Sequence, residues 1–499
     1  MEARLGSGEP NAGKYLWGNV PALDILQLGS NEGEDYKGLL RLLFAASGDL
    51  RNVAKTIAQI PSSYSGSLEV TMNDKDLDVV ARNAIMLLVA LLVDNIDEAV
   101  DCILHVWYSA LIRKSDLDIL QQRIRPLIES VCGKIKGKTP SSLLGKTWEF
   151  GQRSLRLVLE KSSWDRLLSF IDIPNDLTLE RARQIRTAVT AAESRKDYRD
   201  RHLLNQSPSR RIAKKRYWED GLLLPFGSRR NDFQEPNPTF FQTANTWPMH
   251  DSADPLNGWS PKDVADCSTG AATADIYGKL FYHVRAVLRA FLVRLSGLQV
   301  TFRLFQMDAS SLPEHLESGS FSRIEVSNIS DGGYLGIHRT LALIVPLLQG
   351  LLSNPHTTLI TLFMNAVEEY TTTADRIADI MPHSETMKRL FKYLPPDIRV
   401  ASDESDTWPI KFNSTRDIVA DHQPIFDRFV KELKLAEAAQ SIGAAMKETH
   451  TVIEKWPFGL KLQPGQPGAQ EEFDRLLSGG VTGKERYVEW KRIAMRRQG

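Results

Sequence analysis

Between residues 39 and 93, short apolar runs alternate with longer helical patterns, and this alternation limits the fold more than any other feature of the chain. Residues 39–46 form an apolar run that stops at Ser47-Gly48-Asp49, the layout of a buried parallel strand and its exit turn. Leu50, Val53, Ala54 and Ile57 then fall at i, i+3, i+4 and i+7, one face of a helix that Pro61 ends. "LEVTM", 68–72, reads as a second strand with Asn73-Asp74 at its end. Residues 77–93 are apolar nearly all round, which predicts a buried helix. Such alternation with short turns implies a parallel sheet with right-handed crossovers.

The pattern pauses for about two hundred residues and resumes after Asp275. From about 95 to 200 the chain reads as long charged helices, "WEFGQRSLRLVLEK" among them, and 217–262 as loop. A strong helix after Asp275 is followed by strands at 298–308, 321–328 and 357–364, with a helix from Ile337 that Pro346 stops or kinks. The expected fold is therefore α/β: a doubly wound, mostly parallel Rossmann-like sheet, interrupted by a large, mostly helical insertion. The expected divisions are a lead-in (1–36), the first half of the sheet domain (37–112), a helical and loop insertion (113–274), the second half (275–380) and a helical C-terminal region (381–499). That last region is expected to end in a basic helix.

The bulk numbers exclude several classes. With 42% hydrophobic and 25% charged residues the chain has an ordinary globular composition, and 62 basic residues balance 62 acidic ones. No global field draws it to nucleic acid or an anionic membrane. The longest apolar run, 84–93, is half of what a bilayer requires. Three scattered cysteines and the absence of a secretory pattern at the start fit a cytoplasmic protein. There is no HExxH, GxSxG or P-loop signature, and no metal site is expected. Residues 194–216 hold nine Lys or Arg against two Asp, a pattern read as a solvated surface in preference to a nucleic-acid patch. Trp218, Trp247 and Trp259 either line a binding surface or anchor the loop.

Ligands of open α/β sheets bind beyond the carboxyl ends of the strands, where the strand order reverses. The residues to inspect are Ser47, Gly48 and Asp49 on the first strand, Asn73 and Asp74 on the second, Met307 and Asp308 on the third and Ser327 and Asn328 on the fourth. A dinucleotide would set its pyrophosphate on the first turn, where Asp49 repels it, and GxGxxG is missing. S-adenosylmethionine carries no phosphate and is positive at its ammonium and sulfonium, so an acidic loop suits it better. Asp74 would then meet the ribose hydroxyls and Asp308 the adenine amino group. The competing reading is that each aspartate caps a helix or turn.

"LWGNVPALDILQL", "LLFAASGDLRNVAKTIA", "VTMNDKDLDVVARNAIMLL", "ADIYGKLFYHVRAVLRAFLVRL" and "FSRIEVSNISDGGYLGIHRTLALIVPLL" together resemble a domain family of unknown function widespread in fungi. The same domain is similar to the N-terminal part of an axonemal dynein assembly factor of ciliated organisms. The resemblance implies a class I methyltransferase-like fold, with Ala46 to Asp49 in the role of the glycine loop and Ala46 where a first glycine is usual. It also implies a binding or assembly role with a protein partner and with catalysis reduced or absent. The rival is an active S-adenosylmethionine-dependent methyltransferase. At the fourth strand Asn328, Asp331 and Tyr334 remain, without the prolines of nitrogen methyltransferases, and neither Asp331 nor His338 stands out as a base. Oligomeric state is left open.

Overall fold

The computed structural model describes residues 13–270, 272–395 and 408–493. The start of the lead-in and the last six residues of the expected basic helix lie outside them. Eleven strands are found among the described residues: β1 (Leu40–Ala45), β2 (Leu68–Asp74), β3 (Leu111–Arg113), β4 (Leu143–Phe150), β5 (Arg153–Glu160), β6 (Phe233–Pro236), β7 (Val300–Gln306), β8 (Arg323–Glu325), β9 (Thr358–Phe363), β10 (Ala444–Met446) and β11 (Arg486–Arg492). Nine of them make one sheet in the order β10-β11-β9-β8-β1-β2-β7-β5-β4, while β3 and β6 form a separate ribbon. The six strands from β9 to β5 run parallel; β4, β10 and β11 enter through antiparallel pairings.

The alternation that marks 39–93 becomes β1, α1 (Arg51–Ala58), β2 and α2 (Leu77–Leu92), followed by α3 (Ile96–Tyr108). Leu42 and Phe44 of β1 enter the core on one face of the sheet, and Leu43 and Ala45 the core on the other. A strand buried on both sides has to read as a continuous apolar run. Every residue of α2 but the last is buried, as its all-round apolarity predicts. Asp76 caps that helix through the Asp78 N–H, and Asn95 caps α3 through the N–H groups of Asp97 and Glu98. Beyond the insertion, the helix Ile276–Ser296 packs against α1 and α3. The helix from Ile337 ends at Ile344, and Pro346 follows in a short 3-10 turn.

Two expectations are corrected. "WEFGQRSLRLVLEK" is no helix: it belongs to the β4–β5 hairpin, turning at Gly151 (φ 64°), with β5 parallel to β7. Leu155, Leu157 and Leu159 recur every second residue and are all buried, a period of two that decides for strand. The C-terminal region is not all helical either. "RYVEWKR", expected in a basic helix, is β11, antiparallel to β9, and β10 closes the edge beyond it. Tyr487, Val488, Glu489 and Trp490 are buried there. The carboxylate of Glu489 is met by the N–H groups of Thr451, Val452 and Ile453, so a polar residue sits in a central strand.

The described part of the lead-in is a strap along α1. Asp49, just before that helix, and Asn52 and Thr56 on its polar side accept the N–H groups of Gly18, Leu23 and Ile25. This is why an amphipathic helix has buried polar residues. Much of the basic segment 194–216 is tied internally: Lys214 pairs with Asp254 at 2.8 Å, and Arg199 and Arg211 donate to backbone carbonyls. Trp259 is buried with its Nε1 on the Tyr108 hydroxyl, and Trp247 packs on Phe240 and Phe241, so both anchor the loop. No helix among the described residues is long and apolar enough to cross a membrane.

Candidate functional site at the carboxyl ends of the strands

The chain leaves β1 toward β2 on one side and later places β8 on the other, so the strand order reverses between β1 and β8. The exits of both strands contain non-glycine residues in the left-handed region, Ala46 (φ 58°) and Ser327 (φ 50°), and Gly48 follows at φ 56°. A Cβ in that region costs about 1–2 kcal/mol. Replacing Ala46 by glycine relieves it against a loss of chain entropy, so A46G should raise stability by about 1 kcal/mol in urea denaturation. A fall in stability would show that the Ala46 methyl contributes packing.

Backbone and side-chain bonds fix the first loop. Ser47 N–H donates to the Asn73 carbonyl at 2.7 Å and Gly48 N–H to Asp74 Oδ2 at 3.1 Å. The Gly48 carbonyl accepts Asn83 Nδ2 at 2.7 Å. Asp74 also receives the Asp76 N–H on Oδ1 and, on its own carbonyl, the Met307 N–H. The exits of β1, β2 and β7 are thus joined through Asn73-Asp74, and Asp308 sits at the end of the strand neighbouring Asp74. Burial pushes the Asp74 carboxyl above its usual range, though main-chain N–H groups oppose it.

The other predicted residues differ in role. Asp49 points away from the rim: its carboxylate takes Gly18 N–H at 2.8 Å, Trp107 Nε1 at 3.2 Å and Arg51 Nη1 at 2.6 Å. Asp308 caps the turn after β7 through the N–H and hydroxyl of Ser310, and those bonds hold its carboxyl below the usual value. The Asn328 carbonyl accepts the Asp331 N–H. Asp331 in turn accepts the N–H groups of Met364 and Asn365 after β9, with burial raising its carboxyl to about 6. His338 Nε2 lies 2.9 Å from the Leu433 carbonyl.

Sequence reasoning missed Asn83 and Glu325, and placed Asn73 at the end of the second strand without giving it a role. Asn73 is fully buried with both amide atoms unpartnered, and Asn83 Oδ1 and Glu325 Oε2 are likewise buried without a partner. Alternating charges inside "FSRIEVSN" were a usable signal, because charges on a buried strand need dedicated partners. Glu325 accepts Ser327 N–H at 2.6 Å, and burial pushes its carboxyl up to about 7. The stability its proton contributes is full below the ordinary 4.5 and is gone once pH passes 7. E325Q should therefore gain on the native chain as pH rises between those values, by about 3 kcal/mol in all. Urea midpoints at pH 5 and 8 check this, and an equal difference at both would refute it.

Residues 16–112 match the family model described as "Domain of unknown function (DUF4470)". The DUF4470 segment takes in the strap from Leu16, the pairing of β1 with β2, helices α1 to α3 and the start of β3. It thus contains Ser47, Gly48, Asp49 and Asp74, whereas Asp308 and Asn328 lie outside it. No curated protein and no solved structure matches the chain.

Proposed function

We propose that this is a methyltransferase-like Rossmann protein that serves binding or assembly of a protein partner and has given up methyl transfer. The order β7-β2-β1-β8-β9-β11-β10, with β11 alone reversed, supports the fold part of this reading. The direction of the role rests on the sequence resemblance to an axonemal dynein assembly factor, the DUF4470 match assigning no role. One observation carries the loss of catalysis: Asp49, Asp74, Asp308 and Asp331 each hold main-chain N–H groups. A carboxylate committed to the backbone makes a poor general base, since moving a proton to it breaks the fold's own bonds.

A second reading, binding of S-adenosylmethionine, is favoured by the unpartnered amide of Asn73 and by the spare lone pairs of Asp74. The residues fit the adenosyl part: Gly48, Asp74 and Asn73 would hold it, and the bound molecule would supply an electrophilic methyl group. Titration with S-adenosylhomocysteine separates the two. The expected result is no rise in melting temperature at about 1 mM, because a ligand that binds the native state must stabilise it. A saturable rise that D74A abolishes, with methyl transfer to a substrate, would overturn the first reading.

A further inference from the structure

The open half of the sheet points to a second site. On the face that carries β1 residues Leu43 and Ala45, the apolar core contains no residue of β2, β7, β5 or β4. No crossover helix of ordinary length follows β7, only the 3-10 segment Ala309–Glu314. Apart from Val158 and Phe305, this face of β5 and β7 is polar, as a one-sided sheet requires. There Arg156 of β5 and Arg303 of β7 stand directly opposite each other in register. Like charges so placed repel.

The two guanidiniums part. Arg303 leans toward β2, with Nη2 3.5 Å from Glu69. Arg156 leans toward β4, donating weakly to the Thr147 hydroxyl and covering Gly145, where an added Cβ would come within 2.8 Å of Nη2. Between them opens a cavity of about 400 Å³, which His315 also lines and into which Val158 and Phe305 present apolar surface. That volume suits a small organic ligand. Glu69 is shared by Arg41 and Arg303, whereas Arg156, among the described residues, reaches only the Thr147 hydroxyl, at 3.4 Å.

We infer that this cavity binds a small anion with an apolar body, its carboxylate or phosphate lying between Arg156 and Arg303. Such a group would neutralise the facing charges, and the body would rest on Phe305 and Val158. The site shares no residue with the strand-tip edge and stands whether or not that edge binds anything. Melting curves and calorimetry of the full chain with phenyl phosphate and with benzoate test it. A saturable rise with one or both is expected, and the stronger probe tells phosphate from carboxylate. R156Q and R303Q should each weaken binding at least tenfold. G145V keeps the charges but crowds the Arg156 guanidinium, and should weaken it too. No saturable rise with either probe, or binding unchanged in R156Q and in G145V, overturns the inference.

Discussion

D49A should unfold the chain more readily by about 3–5 kcal/mol, and should do so with no ligand present. The Asp49 side chain is only 1% exposed, and its partner Arg51 only 9%. Removing the carboxylate strands a buried guanidinium and takes the acceptor from Gly18 N–H and Trp107 Nε1. Breaking one half of a buried pair costs far more than the pair contributes, because the surviving charge stays out of water. The strap from residue 13 to 28 would lift with it, so limited proteolysis should cut there first. D49N retains one acceptor but removes the ion-pair partner of Arg51, and should lie between. A loss below about 1 kcal/mol for D49A would mean the pair is relaxed by water. Asp49 would then regain a claim to a ligand.

The second large effect concerns Glu32 and Arg323, which pair at 2.7 Å with side chains 3% and 0% exposed. E32A should destabilise the chain by about 3–5 kcal/mol by leaving Arg323 charged and alone inside β8. The double replacement E32L/R323M should recover most of that, since two apolar side chains of similar bulk need no solvation. Recovery should stop short of complete, because Asn354 Nδ2 donates to the other Glu32 oxygen at 3.1 Å. A double-mutant cycle by urea denaturation reads the coupling. Additive single losses would show that the pair contributes nothing as a unit. This bond fixes the lead-in, just past the strap, to the strand next to β1. Together with Asp49 it makes the lead-in part of the domain, in keeping with a DUF4470 match that starts at Leu16.

The candidate site was partly legible. Ser47, Gly48 and Asp74 were readable because they directly follow strands whose apolar runs mark their ends, and parallel strands deliver their exits to one edge. Asp49 was placed on that edge by spacing alone, yet its side chain turns to Gly18 and Trp107, one before the repeat begins and one on α3. No local pattern encodes that direction. Asn73 was legible as a strand-end residue but not as a buried one, because burial is not a property of its sequence neighbours: it lies opposite Ala45 and Phe305 on two other strands.

What the sequence determined by itself were the elements with a period of their own. The buried run of β1, the all-apolar α2 and the proline-stopped helix from Ile337 each follow from side-chain pattern and backbone sterics acting within a few residues. Tertiary structure decided the rest. The hairpin β4–β5 and the strand β11 become part of the sheet only by hydrogen bonding to β7 and β9, whose donors and acceptors lie more than a hundred residues away in the chain. Charges such as Glu489 and Arg323 are tolerated inside because distant groups meet them, Thr451 to Ile453 and Glu32. Local forces act over a turn of helix, whereas the solvation of a buried polar group depends on whichever segments fold against it.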